Sequence, residues 1–225
     1  MNAEISPATP VTGRKYRGVS NETRVAERRL KLIEAGIELF GQQGFHQTTV
    51  RALCSKAGLT ERYFYESFEN TEALFKAVYL NLVDDIRNRI LLAIQDVSAE
   101  NSAQFARAAL TAFFSYIQNR PTSAFVLVNE ALGVSREMSG LSLQTLNSFV
   151  DLLLVLGSPL LQRKPENVSS FSFDPTLISA ALVGGTLNMA GRWAADGFQH
   201  PLEYVVENAS AMFMAVLKQN ATRKQ

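Results

Sequence analysis

Residues 48–68, TTVRALCSKAGLTERYFYESF, decide how this chain is read. Thr48 or Thr49 can cap a first short helix, because a hydroxyl accepts one of the backbone N–H groups that a helix start leaves free. Val50, Leu53, Cys54 and Ala57 recur at i, i+3, i+4 and i+7 and so share one apolar face. Gly58 supplies the residue that enters φ > 0 and ends this helix. Leu59 is the apolar residue that such a turn tucks inward, and Thr60 can cap a second helix through Phe64 to Phe68. Two short helices joined by a tight turn make a helix-turn-helix, whose second helix lies in the major groove of DNA.

Working outward toward the N-terminus, a helix is expected from Asn21 to Gln42, with Leu30, Ile33, Ile37 and Phe40 stepping by 3, 4 and 3 along one face. Gly44 suits the position just past its end, and Phe45 closes a small three-helix core with Val50, Leu53, Phe64 and Phe68. Residues 1–20 hold Pro7, Pro10, Gly13 and Gly18 with little to bury, and read as a flexible arm. Its segment GRKYRG at 13–18 has two readings: a solvated charge cluster, or Arg14, Lys15 and Arg17 folded into a DNA minor groove.

Toward the C-terminus, Asn70 suits the N-cap of a long fourth helix reaching Val97, with Leu74, Val78, Leu82, Ile86 and Ile90 inward. Its length of roughly 40 Å could link two domains. A fifth helix is expected from Ser102 to Asn119, and Pro121 suits the first position of a sixth running to Gly133. A seventh covers 135–162, ended or kinked by Gly157-Ser158-Pro159, and the polar stretch 162–173 reads as a mobile loop. Asp174 and Pro175 open an eighth helix that stops at Gly197, and Pro201 opens the last. No stretch reads as a strand. The expectation is an all-α chain of about nine helices, divided into the arm at 1–20, a helix-turn-helix head at 21–69 and a helical body at 70–225.

Apolar residues make up 47% and charged residues 19%, an ordinary globular balance, and the net charge of +1 argues against a uniformly basic nucleic-acid binder. The charge is unevenly spread. From Gly13 to Tyr65 there are ten Lys/Arg against five Glu, a net of +5, which leaves 12 against 16, a net of −4, elsewhere. A basic end on a mildly acidic body fits a DNA-binding head on a body with another task. The single cysteine excludes an internal disulfide and points to a reducing cytoplasm. Neither a membrane-spanning stretch of ~20 apolar residues nor a signal peptide stands out, so a cytoplasmic protein with no membrane partner is expected.

Phe40, Gly44, Phe45, Thr49, Ala57-Gly58-Leu59-Thr60, Phe64-Tyr65, Phe68, Glu72 and Leu74 together resemble the N-terminal signature of the tetracycline-repressor (TetR) family of bacterial regulators. The resemblance covers residues 24–80. It implies that Thr49, Thr60, Tyr63 and Tyr65 touch DNA and that Arg51 meets a phosphate. Thr48, Glu61, Arg62 and Ser67 complete the candidate DNA face. Arg62 can bond guanine bidentately or remain a solvated surface residue, and Glu61 and Glu66 can select cytosine or repel phosphates. The chain departs from the family at Thr71, where a phosphate-binding Lys is common. The hydroxyl with the helix N-terminus, or the basic Arg14–Arg17 segment, could replace it.

The same resemblance implies double-stranded DNA, a second copy of the chain and a small effector as partners. The dimer face is expected on the last two helices, at Ala181, Gly185, Val205, Met212 and Val216, although this row could equally pack into its own core. Candidate pocket residues are Phe113, Phe114, Tyr116, Phe125 and Trp193 with Asn129, Glu130 and Asn188, suited to a lipophilic effector unless they are ordinary core residues. Cys54 reads as a buried filler rather than a redox sensor, and His46 and His200 lack the companions of a metal site. No cofactor and no catalytic set is expected, and an enzyme is the weaker alternative, beside a binding protein that has lost DNA affinity.

Overall fold

The computed structural model describes residues 21–98, 101–131, 133–161 and 174–222, so the arm with Arg14, Lys15 and Arg17, and the loop at 162–173, lie outside the described residues. Among those described, the chain is all-α: α1 (Asn21–Gln43), α2 (Val50–Ala57), α3 (Glu61–Ser67), α4 (Thr71–Ile94), α5 (Ser102–Asn119), α6 (Pro121–Phe125), α7 (Arg136–Leu161), α8 (Pro175–Ala195) and α9 (Leu202–Thr222). A π-helical segment, Val126–Glu130, continues α6, where a plain α-helix to Gly133 was expected. α7 runs on through Gly157-Ser158-Pro159 to Leu161.

Local chemistry sets the helix ends. The Ala52 N–H donates to Thr49 Oγ1 at 3.2 Å, which makes Thr49 the cap of α2. Gly58 takes φ 66°, its N–H donates to Ser55 O and the Leu59 N–H donates to Cys54 O, a pair of bonds that closes the helix and swings Leu59 back onto the core. Asn70 Oδ1 accepts the Ala73 N–H at 2.8 Å to start α4, and Asp174 Oδ1 accepts from Thr176 and Leu177 to start α8. Beyond α8, both Gly197 (φ 69°) and Phe198 (φ 58°) are left-handed. Phe198 tolerates this because its ring is held edge-on to Trp193 at 5.0 Å.

Two clusters of buried side chains hold the fold. The first joins the head to α4: Leu32, Phe40, Leu53, Phe64, Leu74, Phe75 and Val78 are sealed from solvent, with Phe40 edge-on to Phe75 at 5.1 Å. Leu32 rather than Leu30 is the inward residue of α1; Leu30 is 51% exposed, one position off the buried face. The second cluster lies in the body, where Phe114, Ile117, Trp193, Val205, Val206 and Ala209 are buried between α5, α8 and α9. Trp193 Nε1 donates to His200 O at 3.0 Å, which satisfies the indole and fixes the α8–α9 turn.

α7 lies alongside α4 in parallel order. Ser135 bonds Glu72, Lys76 Nζ pairs with Glu137 Oε1 at 2.6 Å and Arg87 Nη2 donates to Ser148 Oγ at 2.6 Å. The stretch Arg136–Leu156 has a mean hydropathy of 1.3 and meets the length and composition of a membrane span, contrary to the expectation that no such stretch exists. In this fold its apolar face is turned to α8 and to a cavity shared with α4 and α5.

Candidate nucleic-acid interface and body cavity

α3 carries its residues on two faces. Phe64 is sealed inward, while Glu61, Arg62, Tyr65 and Glu66 are exposed. α1 grips it from behind. The Arg28 guanidinium lies 4.4 Å from the Tyr63 ring centroid, and that of Arg29 lies 4.2 Å from Phe68 and donates to Ser67 O at 3.2 Å. Tyr63 and Ser67 are therefore half-buried and partly engaged within the head, Ser67 Oγ donating to Tyr63 O. Thr60 has the extended backbone of an N-cap, yet its hydroxyl makes no capping bond and is left exposed, unlike the expectation that it caps α3.

Arg62 is 84% exposed and pairs with Glu66 at 3.0 Å. An exposed i,i+4 pair is worth about 0.3–0.5 kcal/mol, against ~1–3 kcal/mol for a bidentate contact to guanine, so the pair does not hold Arg62 back from DNA. Lys56 pairs with Glu38 and holds that carboxyl below its usual range through their hydrogen bond. Arg51 is exposed and has no ion pair among the described residues. Thr71 is the first residue of α4 and half-buried. Thr48 is withdrawn from the surface: it is buried, donates to Gly44 O at 2.7 Å and accepts from Gln43 Nε2, closing the α1–α2 loop. Burial also raises the Cys54 thiol, helped by the Glu61 charge, which agrees with a packing residue.

The body holds a partly open cavity of about 240 Å³ between α4, α5, α7 and α8. Val83, Ile86, Ile90 and Ile94 line it from α4, Phe105, Leu110 and Phe113 from α5, and Leu146, Phe149, Leu152 and Leu156 from α7. Among the described residues, no Asp, Glu, Lys, Arg or His is on its wall, and its hydroxyls are those of Tyr79, Ser102, Ser142, Thr145 and Thr186.

Residues 32–78 match the model of the family described as "Bacterial regulatory proteins, tetR family". The head therefore carries a TetR-family DNA-binding domain. The TetR-family match spans α2, α3 and their setting between late α1 and early α4, which is the interface just described. Curated relatives include the HTH-type transcriptional activator FasR of Mycolicibacterium smegmatis, 29% identical over 41% of this chain and 42% of that protein. Another is the HTH-type transcriptional regulator UidR of Escherichia coli, 29% identical over 26% of this chain and 30% of that protein. The chain thus spans less than half of the curated relatives it matches. Among solved structures, the fold resembles the regulator FadR from Bacillus subtilis in complex with stearoyl-CoA, at TM-score 0.69 and 17% identity, over 81% of this chain and 96% of that one. That likeness is one of fold.

In the body, the sequence named the cavity wall poorly. Of its described candidates, only Phe113 is on it. Phe114 and Trp193 pack edge-on at 5.9 Å inside the neighbouring core, and Tyr116 sits between the Arg89 and Arg120 guanidiniums. Phe125 and Asn188 face solvent, and the side chains of Asn129 and Glu130 lie outside the described residues. The wall is aliphatic, and aliphatic residues at helical spacing carry no mark that separates a void from a packed core. The dimer row is also corrected in part. Val205 is 5% exposed within its own core, and Gly185 faces Met212 of its own α9, where a Cβ would meet the thioether at 3.4 Å. Ala181 is exposed, and Met212 and Val216 are half-buried.

Proposed function

We propose that this TetR-family protein is a cytoplasmic, ligand-responsive repressor that binds a palindromic operator as a homodimer and is released by a small lipophilic effector. The observation that carries the proposal is the double duty of α4. Its first turns place Leu74, Phe75 and Val78 in the head core, and its later turns place Ile86, Ile90 and Ile94 on the cavity wall. A ligand that reshapes the wall therefore bears on the helix that carries the head. The head at 21–69 and the body at 70–225 are the two functional units of this reading, and residues 1–20 its DNA-contacting arm.

DNA contacts are assigned to Thr49, Arg51, Thr60, Glu61, Arg62, Tyr63, Tyr65 and Thr71, with Arg14, Lys15 and Arg17 from the arm. Two copies would set their α3 helices one DNA turn apart. The mate would sit on the outer faces of α8 and α9, where Leu177 is 70% exposed and Ala181, Gly184, Ala211 and Ala215 are small and exposed. An apolar cavity suits a lipophilic effector, and the fold neighbour FadR from Bacillus subtilis was solved with stearoyl-CoA. Moving the population from 1:99 to 99:1 would require the effector to prefer one state by roughly 5.5 kcal/mol. The relatives are regulators rather than enzymes, which supports a non-catalytic role.

Gel retardation of the DNA flanking the protein's own gene, at two salt concentrations, tests the proposal. Retarded bands should weaken with salt, and Arg62→Ala should weaken binding roughly 5- to 150-fold. A second reading, a ligand-binding protein without DNA affinity, is favoured by Thr71 standing where a phosphate-binding Lys is common. A folded dimer that retards none of this DNA would select it.

A further inference from the structure

The cavity holds one group that its apolar wall does not explain. Ser142 on α7 is 6% exposed, lines the cavity, and its Oγ has no hydrogen-bond partner among the described residues. Thr186, also on the wall, solves the same problem internally by donating to Leu182 O at 2.7 Å. A buried hydroxyl with nothing to bond carries an uncompensated desolvation penalty, which a ligand group placed against it would remove. With no ionisable residue among the described residues of the wall, a charged group next to Ser142 would lose its hydration with no described counter-charge to replace it. The group that meets Ser142 is therefore neutral.

Size and shape narrow the ligand further. An apolar cavity of about 150 Å³ holds a benzene, so the 240 Å³ here accommodates roughly ten heavy atoms on the same scale. The wall runs from Tyr79 to Ile94 along α4 and from Ser142 to Leu156 along α7, about 20 Å each at 1.5 Å per residue. The parallel order of the two helices puts Ser142 and Tyr79 together at the end nearer the head. A long aliphatic space with one buried, unpartnered hydroxyl near one end among the described residues fits a chain rather than a ring system.

We propose that the cavity binds a single unbranched aliphatic chain of roughly eight to twelve carbons, carrying a neutral hydroxyl, ester or amide group that hydrogen-bonds Ser142 Oγ. The proposal rests on the reading of this cavity as the effector site, and it makes the ligand shorter than the stearoyl group bound by the FadR neighbour.

Displacement of the apolar fluorophore N-phenyl-1-naphthylamine from the full-length protein tests it, with 1-decanol, decane, decanoate at pH 8 and 1-octadecanol as competitors. 1-Decanol should displace best, and decanoate at least about tenfold less well. Ser142→Ala should weaken 1-decanol by about 2- to 10-fold and leave decane unchanged. Ser142→Cys keeps the shape and should weaken 1-decanol in the same direction, so the result does not depend on one variant folding. An unchanged 1-decanol affinity in both variants, or equal losses for 1-decanol and decane, overturns the anchor. Decanoate binding as tightly as 1-decanol overturns the neutral class, and 1-octadecanol binding best overturns the chain length. Operator release is read separately. Binding of 1-decanol without loss of DNA retardation would overturn the effector reading and leave the ligand assignment standing. Release by stearoyl-CoA with no binding of 1-decanol would do the reverse.

Discussion

In the head, α1, α2 and α3 close on themselves: Phe40, Leu53 and Phe64 are wholly buried, and α4 seals the open side with Leu74 and Phe75. In the body, α4, α5, α7 and α8 stop short of closing and leave 240 Å³ between side chains of the same apolar kind. The two regions share a helix and a chemistry, and differ in whether the opposing wall is within contact distance. A closed core resists reshaping because every displacement loses contacts on all sides. A wall that already faces space loses them on one side only. On the proposed function, the closed core lies where DNA is read and the open one where a ligand enters, so packing rather than residue type separates the two tasks.

The comparison breaks most directly with one large-to-small change in each region. Phe64→Ala removes a ring that is fully enclosed, and should cost ~3–5 kcal/mol in urea unfolding and abolish DNA retardation. Phe149→Ala removes a ring that is half-buried on the cavity wall, and should cost no more than about 2 kcal/mol. Equal losses would mean that the cavity wall is packed as firmly as the head.

The seam between the regions offers a smaller effect. At Gly41 on α1, an added Cβ would stand 2.5 Å from the Thr122 carbonyl oxygen and 2.7 Å from its Cα on α6. The obstacle is backbone and cannot rotate away. Gly41→Ala gains up to about 1 kcal/mol of helix propensity but faces an overpacking cost of ~1–3 kcal/mol, so a net loss of about 1 kcal/mol is expected, with altered operator affinity. Gly140→Ala on α7, where a Cβ meets nothing within 4 Å, should instead gain up to about 1 kcal/mol. Stabilisation by both changes would show that α1 and α6 do not press on each other.

Legibility in the sequence follows the same divide. The head obeys rules that act over a few residues: Thr49 caps, Gly58 turns, Leu59 folds back and Asn70 caps again, and each was readable because its partner lies within five positions. Leu30 was misplaced because a 3-4-3 step fits two adjacent faces of a long helix, and only packing against α2 and α4 selects the one with Leu32. In the body, helix starts were readable from Pro121, Asp174 and Pro175. The cavity was not, since Leu146 or Leu152 reads alike against a neighbour or a void. Aromatics drew attention to Phe114 and Trp193, which satisfy each other in the core.

The smallest expected effect separates two neighbouring hydroxyls in the head. Thr49 Oγ1 accepts the Ala52 N–H and so holds the start of α2, whereas the Thr60 hydroxyl makes no capping bond at the start of α3. Thr49→Ala should therefore lower unfolding stability by about 1 kcal/mol, while Thr60→Ala should change it by less than about 0.5 kcal/mol. Retardation should respond the other way round in proportion, with Thr60→Ala weakening DNA binding beyond what its stability loss explains. The contrast parallels the body, where Thr186 bonds its own helix and Ser142 has no partner among the described residues. In both regions the hydroxyl without an internal partner is the one assigned to an outside molecule. A Thr60→Ala variant as destabilised as Thr49→Ala, with unchanged retardation, would show that Thr60 serves the fold and would remove the parallel.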